Sequence, residues 1–317
     1  MKYTISTATD LMLLMMSTVA MQLITGTEHC AGSFWEVSMS GTLYLCATPI
    51  GNLEDITLRV LRTLKEVDLI AAEDTRNSIK LLNHFSIRTP LTSYHEYNKI
   101  EKAYELVAKL KEGADVALIT DAGTPGISDP GEELVRICYE NDIPVTSLPG
   151  ACACITALTL SGLPTRRFCF EAFLPHDKKE RAFVLHSLEN ETRTILLYEA
   201  PHRLKRTLAE LYETLGDRFL TLCRELTKKH ETILVTSLSE AIRLYESEDP
   251  RGEYVLVLSG KSRQALKEEE QAVFSSMTIE DHMKYYEEKG IPRKDAMKLV
   301  AKDRGVSKRD IYQALLS

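Results

Sequence analysis

The sequence has 317 residues, of which 44% are apolar and 27% charged, and it contains 39 lysines and arginines against 46 aspartates and glutamates. This composition excludes a wholly disordered or fibrous chain, and the length favours two domains because a domain typically has about 150 residues. The net charge of −7 is unevenly distributed, since residues 293–317 carry seven basic and three acidic side chains, a net of +4, and the rest of the chain carries −11.

The first 39 residues differ in composition from the rest of the chain. They contain six of the nine methionines and the only tryptophan, Trp35. The apolar run over residues 11–24 is too short for a membrane span, which needs about 20 residues. A secretory signal is disfavoured because Asp10 precedes the run and no clear cleavage site follows it. We therefore expect residues 1–39 to lie outside the functional fold, with Met39 as an alternative start.

The seven cysteines are scattered, and no CxxC motif occurs. Cys152 and Cys154 are separated by one residue, but no histidine lies nearby to complete a zinc site. Most of the cysteines stand in apolar runs, which predicts buried, reduced thiols. Together with the lack of a convincing export signal, this pattern favours a cytoplasmic protein with no bound metal and no membrane partner.

From residue 42 onwards, short β-branched runs alternate with segments of helical periodicity. Strands are predicted at 42–47, 68–72, 90–94, 115–120 and 143–148. Helices are predicted after Asp55 as an N-cap, and at 76–84, 97–111, 131–141 and 151–161. The alternation predicts a first α/β domain over residues 41–160, in which helices cover both faces of a parallel sheet.

A linker at 161–167, which contains Gly, Pro and a basic pair, is followed by a second α/β domain that ends near residue 260. Its predicted strands lie at 168–173, 193–198, 218–224, 230–236 and 253–259, and its helices near 178–189, 200–214 and 238–247. The close spacing of two of these strands predicts a hairpin and therefore a mixed sheet. The polar residues 261–276 are predicted to form a tether.

The last residues, 278–317, are predicted to form a small helical domain of helix–turn–helix size. Three short helices are indicated at 278–289, 292–303 and 307–316. Pro292 suits a first helical turn, Gly305 a helix end and Ser307 an N-cap. A basic tail on an acidic body favours nucleic-acid binding, although a solvated helical cap explains the charge equally well.

Three loops at the carboxyl ends of predicted strands are rich in glycine and proline. They span residues 48–53, 121–131 and 149–151. Ligands of open α/β sheets bind at this edge, and such loops suit a compact polar ligand held by backbone groups. No GxxxxGK[ST] motif occurs, and no GxGxxG motif follows the first strand, so the common P-loop and dinucleotide sites are not supported.

Three polar segments also follow predicted strands, at 73–76, 198–203 and 224–228. Their arginines and lysine are suited to phosphates, and their carboxylates or His202 to orienting or deprotonating a hydroxyl group. Salt bridges between strand ends, such as Glu73 with Arg76, are the structural alternative.

Several long motifs in this order resemble the 16S ribosomal RNA cytidine-2′-O-methyltransferases of the class III, tetrapyrrole-methylase-like family. They extend over residues 41–260 and read ATPIGNLEDITLR, AAEDTR, DAGTPGISDPG, LPGACACITALTLSGLP, FEAFLP, YEAPHR and CRELTKKHE. The resemblance implies two α/β domains with the cofactor in the cleft between them, and a small C-terminal helical domain. It implies a homodimer that transfers a methyl group from S-adenosylmethionine to a cytidine ribose near the decoding site of the small ribosomal subunit.

The resemblance also implies the residues that border S-adenosylmethionine. They are Pro49, Ile50, Gly51, Asn52, Asp121, Ala122, Gly123, Thr124, Pro125, Ser128, Gly150 and Ala151. One departure from the family pattern is Ala172, at a position where relatives often have glycine.

We hypothesise that Glu73 or Glu199 accepts the proton of the ribose hydroxyl. The substrate would be held by the polar segments, through Asp74, Arg76, His202, Arg203, Arg224 and Lys228. A methyltransferase of the same fold that acts on a small tetrapyrrole is the runner-up, and a non-catalytic RNA-binding protein is a third possibility.

Overall fold

A five-stranded parallel sheet forms the first half of the fold in a computed structural model, which describes residues 40–316. The expectations about residues 1–39 and Met39 lie outside these residues. The strands lie in the order β3-β2-β4-β1-β5 and all pair in parallel, and this parallel pairing is what the sequence pattern predicts. They are β1 (Leu43–Cys46), β2 (Leu69–Ala72), β3 (Leu91–Ser93), β4 (Val116–Ile119) and β5 (Val145–Leu148).

Helices cover both faces of this sheet. They are α1 (Leu58–Glu66), α2 (Thr75–His84), α3 (Lys99–Lys111) and α4 (Gly131–Glu140). A fifth helix, α5 (Ala153–Leu160), follows β5. Side chains of α3 and α4 pack on one face, and side chains of α1 and α2 pack on the other. The central strand β4 contributes to both cores, because its successive side chains point to opposite faces.

The predicted N-cap of the first helix is wrong. Asp55 lies in a 3₁₀ turn, Leu53–Asp55, which begins where the Asn52 side chain accepts a hydrogen bond from the Glu54 backbone N–H. Helix α1 begins two residues after Asp55, where the Thr57 hydroxyl accepts from the Val60 N–H. Two local caps therefore compete in this sequence, and the threonine begins the longer helix.

A second five-stranded sheet has the order β6-β7-β10-β8-β9. Its strands are β6 (Phe168–Phe173), β7 (Thr194–Glu199), β8 (Phe219–Arg224), β9 (Thr232–Ser237) and β10 (Tyr254–Leu258). Only the β6–β7 pair is parallel, so the sheet is mixed, and β8 and β9 form the predicted hairpin.

The two faces of the second sheet have different partners. Helices α6 (Lys178–Ser187), α7 (Pro201–Leu215) and α8 (Leu238–Ser247) pack on one face. Helix α5, which follows the last strand of the first sheet, packs on the other face through Cys154, Ala157 and Leu158. This packing brings the loop that precedes α5 against the second sheet, and it creates a cleft between the two sheets.

The polar segment after β10 is helical rather than a simple tether. Helix α9 (Arg263–Ser276) begins at Ser262, whose hydroxyl accepts a hydrogen bond from the Ala265 N–H. The Gln264 and Glu268 side chains, four residues apart, add a hydrogen bond along its exposed surface.

Three short helices end the fold, as the sequence predicts. They are α10 (Ile279–Glu288), α11 (Arg293–Asp303) and α12 (Lys308–Ala314), and they share a core of Met283, Ala296, Val300, Ala301 and Ile311. Ser307 and Asp310 form a capping box at the start of α12, and Gly305 has a positive φ of 65°. Pro292 directly precedes α11 instead of standing in its first turn. No helix within residues 40–316 is long and apolar enough to cross a membrane.

Candidate functional site

A cavity of about 580 Å³ lies between the loops of the first sheet and one face of the second sheet. Ten residues singled out from the sequence line it: Ile50, Glu73, Asp121, Ala122, Gly123, Thr124, Ser128, Glu199, His202 and Lys228. The other wall is formed by side chains of α5, β6, β7, β8 and β10, among them Cys152, Phe173, Tyr198, Cys223 and Val255.

The three glycine-rich loops are tied together by hydrogen bonds. Thr48 and Gly123 exchange backbone hydrogen bonds of 2.9 and 3.1 Å, which joins the loops after β1 and β4. The Thr124 hydroxyl donates to the Ala151 carbonyl at 2.9 Å, which joins the loops after β4 and β5. The carboxyl ends of β1, β4 and β5 therefore form one continuous surface, as expected for adjacent parallel strands.

Glycine is required where two of these loops approach other parts of the chain. A Cβ atom on Gly150 would lie 2.5 Å from the Cβ of Ala47, and one on Gly51 would lie 2.4 Å from the Cγ of Lys228. Both distances are far shorter than a carbon–carbon contact allows. The glycines thus permit the close packing that shapes the cleft.

Asp129 organises the loop after β4. Its carboxylate accepts hydrogen bonds from the backbone N–H groups of Gly126, Ile127 and Gly131 at 2.8–3.1 Å. The preceding residue, Ser128, has a positive φ of 65°, in the left-handed region. The sequence interpretation missed Asp129, although an aspartate two residues before a helix is a common turn signal.

Glu73 directly follows β2 and lines the cavity. Burial is the largest cause that raises the pKa of its carboxyl above the ordinary value. A hydrogen bond from the Asp121 backbone acts against this rise, and the negative charges of Asp121 and Asp129 add to it. Glu73 is therefore a half-buried carboxyl at the cavity wall, close to other acidic groups.

Asp74 and Arg76 pair with each other instead of entering the cavity. Asp74 is the N-cap of α2, and the Arg76 guanidinium donates two hydrogen bonds to its carboxylate at 3.1 and 2.7 Å. These hydrogen bonds lower the pKa of Asp74 to about 2. The Arg76 side chain is 88% exposed, so it remains accessible at the surface.

Glu199 borders the cavity, but its carboxylate is engaged in a polar network with α7. Its side chain is 1% exposed and lies 3.4 Å from the Arg203 guanidinium. It also accepts hydrogen bonds from the Thr207 hydroxyl and the Ala200 N–H. The buried Arg181 donates to the same Thr207 hydroxyl. The Glu199 carboxylate is already occupied by these partners. The geometry therefore disfavours Glu199 as a proton acceptor.

The arginines of the second sheet are turned away from the cavity. Arg203 also donates to the Leu174 carbonyl and contacts His176. On β8, Cys223 lines the cavity, and the following Arg224 lies on the opposite face because strand side chains alternate. Neither arginine lines the cavity, whereas His202 lines it and is exposed. A contact of Arg203 or Arg224 with the substrate stays a prediction.

Lys228 closes the cavity between the two sheets. Its ammonium group donates to Glu225 at 2.9 Å and to Glu253 at 2.8 Å. Burial lowers the pKa of Lys228, but the hydrogen bonds and charges of the two glutamates outweigh that effect and raise it. The loop that carries it is unusual, since Glu225 and Thr227 both have positive φ values.

An aromatic wall forms where β6 is irregular. Its register with β7 shifts between Phe170 and Phe173, and Ala172 in this bulge has a φ of 51°. The bulge places Phe173 against Tyr198, with ring centroids 5.5 Å apart. Phe173 is 49% exposed and lines the cavity. The alanine thus occupies a left-handed conformation that favours glycine.

The remaining predicted residues surround the cavity without lining it. Pro49 and Gly51 border an adjoining pocket of about 330 Å³ that shares Thr120 and Asp121 with the cavity. The other predicted residues outside the cavity lining are Asn52, Asp74, Arg76, Pro125, Gly150, Ala151, Arg203 and Arg224. No cluster of three or more metal-ligating side chains occurs within residues 40–316.

The pattern of the tetrapyrrole (corrin/porphyrin) methylases matches residues 42–242. The chain is 48% identical over 280 residues to ribosomal RNA small subunit methyltransferase I of Halalkalibacterium halodurans. The aligned region covers 88% of this chain and 96% of that protein. It is 46% identical over 282 residues to the protein of the same name from Bacillus subtilis, and the aligned region covers 89% of this chain and 96% of the Bacillus protein.

The chain belongs to the tetrapyrrole methylase family. Solved structures of the family share its fold: uroporphyrin-III-C-methyltransferase from Thermus thermophilus has a TM-score of 0.50 at 22% identity and covers 68% of this chain and 94% of its own. Diphthine synthase has a TM-score of 0.56 at 15% identity, with coverage of 70% and 91%. The predicted class III α/β fold is thereby confirmed, and the chain is a methyltransferase that uses a methyl donor.

Proposed function

We propose that this tetrapyrrole methylase family member transfers the methyl group of S-adenosylmethionine to the 2′-oxygen of a cytidine ribose in 16S ribosomal RNA, near the decoding site. The observation that carries the proposal is the cavity between the two sheets, which combines the glycine-rich loops with the carboxyl of Glu73. The ribosomal RNA substrate is supported by the names of relatives that are 44–48% identical over most of the chain.

The cavity suits S-adenosylmethionine in size and chemistry. A volume of about 580 Å³ lies within the range of ligand pockets, roughly 300–1,000 Å³. Ile50, Leu226 and Val255 provide apolar surface, and the loop after β4 provides backbone groups. The acidic side chains at the wall match a cationic ligand. S-adenosylmethionine, when bound, supplies a methyl group on a positively charged sulfur.

The chain's own residues would orient the ribose and remove its proton. Glu73 is the candidate proton acceptor, because a carboxyl with a raised pKa is a stronger base than an ordinary one. Lys228, fixed by its two glutamates, would hold the mouth of the cavity in position over Gly51. Alignment of the ribose oxygen with the methyl group supplies several kcal/mol of barrier reduction, on the order of 7–11 kcal/mol in the best intramolecular cases.

A basic surface for RNA is available on the C-terminal helices. Lys294, Lys302 and Arg309 are exposed on α11 and α12, and none of them forms an ion pair with another residue within the described range. Phosphate contacts by such side chains supply most of the sequence-independent affinity for nucleic acids. We propose that this tail recruits the RNA and that Arg76, exposed beside the cleft, contacts it there.

The proposal includes the organisation of the protein in the cell. Residues 41–160 and 161–260 would act as the two domains of the cleft, and residues 278–317 as the RNA-recruiting domain. The chain would work as a cytoplasmic homodimer. Static light scattering of the purified chain tests the dimer, and a mass of one chain across the working concentration range would reject it.

The experiment that tests the activity maps 2′-O-methylation by mass spectrometry. Small ribosomal subunits from cells that lack the corresponding gene are incubated with S-adenosylmethionine and the purified chain. We expect one new 2′-O-methylcytidine in 16S RNA near the decoding site, formed on assembled subunits or on naked RNA. Methylation of a tetrapyrrole acceptor but not of RNA would favour the runner-up function, and no methylation of either would reject the proposal.

A further inference from the structure

A pair of thiols that the proposed mechanism does not use lies at the wall of the cavity. The Sγ atoms of Cys152 and Cys154 are 3.4 Å apart. Cys152 precedes α5 and lines the cavity, whereas Cys154 is 4% exposed and packs against the second sheet. The arrangement therefore has one accessible sulfur with a second sulfur directly behind it.

The two sulfurs have different chemical character. The hydrogen bond from Cys154, aided by backbone N–H groups at the start of α5, lowers the pKa of Cys152 below the ordinary thiol value, although burial opposes this. The same hydrogen bond and burial raise the pKa of Cys154. Cys152 is therefore the more acidic and the more accessible of two adjacent thiols, which is the arrangement of an attacking and a resolving cysteine.

The other described cysteines lack this character. Burial raises the pKa of Cys46 to about 12, of Cys138 to about 11 and of Cys223 to about 12. Cys169 is partly buried, and burial raises its pKa to about 11. Because the thiolate is the reactive form, oxidation should select the pair at the cavity.

We propose that Cys152 and Cys154 form an oxidation-sensitive dithiol that hydrogen peroxide converts into a disulfide at the cavity wall. The Cys152 thiolate attacks one peroxide oxygen, the O–O bond breaks, and the hydroxide that leaves takes up a proton as water. The Cys154 sulfur then attacks the Cys152 sulfenic acid, an S–S bond forms, and the leaving hydroxide takes the Cys154 proton as a second water. The two thiols lose two electrons and two protons, and one peroxide becomes two waters.

The disulfide would reshape the wall that faces the methyl donor. A disulfide bond is about 2.05 Å long, so the sulfurs must approach each other by more than about 1 Å. The residues that would shift are tied to both sides of the cavity: the Cys154 N–H donates to the Tyr198 hydroxyl at 3.2 Å, and the Ala151 carbonyl accepts from Thr124. We expect weaker donor binding in the oxidised protein. This consequence rests on the proposed function, whereas the disulfide itself does not.

Peptide mapping of the full chain after treatment with hydrogen peroxide tests the disulfide. We expect the peptide that contains both residues to be lighter by two hydrogen atoms, with fragmentation placing the bond between Cys152 and Cys154, and dithiothreitol to restore it. Cys152→Ser and Cys154→Ser should abolish this product, and the control Cys169→Ser should retain it. Reduced Cys152 in the treated wild type, or oxidation that favours Cys46, Cys138 or Cys223, would overturn the proposal.

Calorimetric titration with S-adenosylmethionine tests the consequence. We expect the oxidised wild type to bind it roughly tenfold more weakly than the reduced protein, with recovery after reduction. Equal affinities in both states would overturn the link to donor binding. If the reduced protein shows no binding at all, the proposed donor is wrong, and the peptide map still decides whether the dithiol exists.

Discussion

Glu73 follows a strand and Glu199 ends one, and both stand in a polar segment of similar appearance, but their carboxylates have different surroundings. Glu73 directly follows the parallel strand β2, whose neighbours end at the same edge, and it lines the shared cavity. Glu199 ends a strand whose alternating side chains face α7 on one side and the cleft on the other, and its own side chain faces α7. Position at a strand end therefore does not by itself decide which carboxylate reaches the cavity; the packing on each face of the sheet does.

The largest expected effect comes from Glu73→Gln, which removes the proposed base but keeps the shape of the side chain. Methylation should slow by about 100-fold or more, because general-base catalysis typically contributes that much. The rate of the wild type should rise as the pH increases through the raised pKa of Glu73 and then level off, since only the ionised form accepts a proton. Single-turnover rates over a pH series measure both effects.

Glu112→Gln, at an exposed position after α3, is the matched control and should leave the rate unchanged. A wild-type rate in Glu73→Gln would remove Glu73 from the mechanism, and the contrast between the two glutamates would then be structural only.

Glu199→Gln should change the stability of the protein more than its methylation rate. Breaking its buried pair with Arg203 leaves an uncompensated charge, which we expect to lower the free energy of unfolding by about 3 kcal/mol. Urea unfolding measures this loss, and Glu213→Gln, exposed on the same helix, should change the stability little. A fully stable Glu199→Gln protein that has lost methylation would reverse the contrast drawn above.

The acidic body of the protein and its basic C-terminal tail offer a second comparison. Replacing Lys294, Lys302 and Arg309 together by alanine should weaken the binding of the small subunit roughly tenfold and flatten its salt dependence, because each lost phosphate contact removes one released counterion. Lys65, Lys109 and Lys179, also exposed, are a control of equal charge. Equal losses in the two triple variants, measured by filter binding over a salt series, would show that only net charge matters.

The smallest expected effect concerns the bulge in β6. Ala172→Gly should raise the free energy of unfolding by about 1 kcal/mol, because glycine adopts a φ of 51° without the steric cost of a Cβ atom. Ala209→Gly in α7 should lower it by about 1 kcal/mol, since glycine is a poor helix former. Thermal unfolding of the two variants should therefore shift in opposite directions, and a loss of stability in Ala172→Gly would contradict the strain.

Much of the architecture could be predicted from local pattern. The alternation of short apolar runs with helical segments located all ten strands, and the spacing of two of them predicted the β8–β9 hairpin. Glycine-rich loops at strand ends pointed to the cavity because parallel strands end together. The helical state of residues 263–276 and the true cap of α1 were missed, since polar composition and competing caps are weak signals.

The wall that faces the loops could not be predicted in the same way. Phe173, Tyr198, Cys223 and Val255 reach the cavity only because α5 packs on the second sheet. Once that face is known, strand alternation explains why Tyr198 and Cys223 point inwards and why Glu199 and Arg224 do not. The sequence shows the alternation of each strand but not the side on which the cleft forms.

The sequence by itself determined the order of the elements, the parallel first sheet and the family, because periodicity and long motifs are local properties of the chain. Only the tertiary structure decided which of the two glutamates faces the cavity, which arginines are engaged in structure, and that two cysteines come to lie 3.4 Å apart at its wall. The physical reason is that burial, pairing and the direction of a side chain arise from packing between elements distant in the chain, which no single segment records.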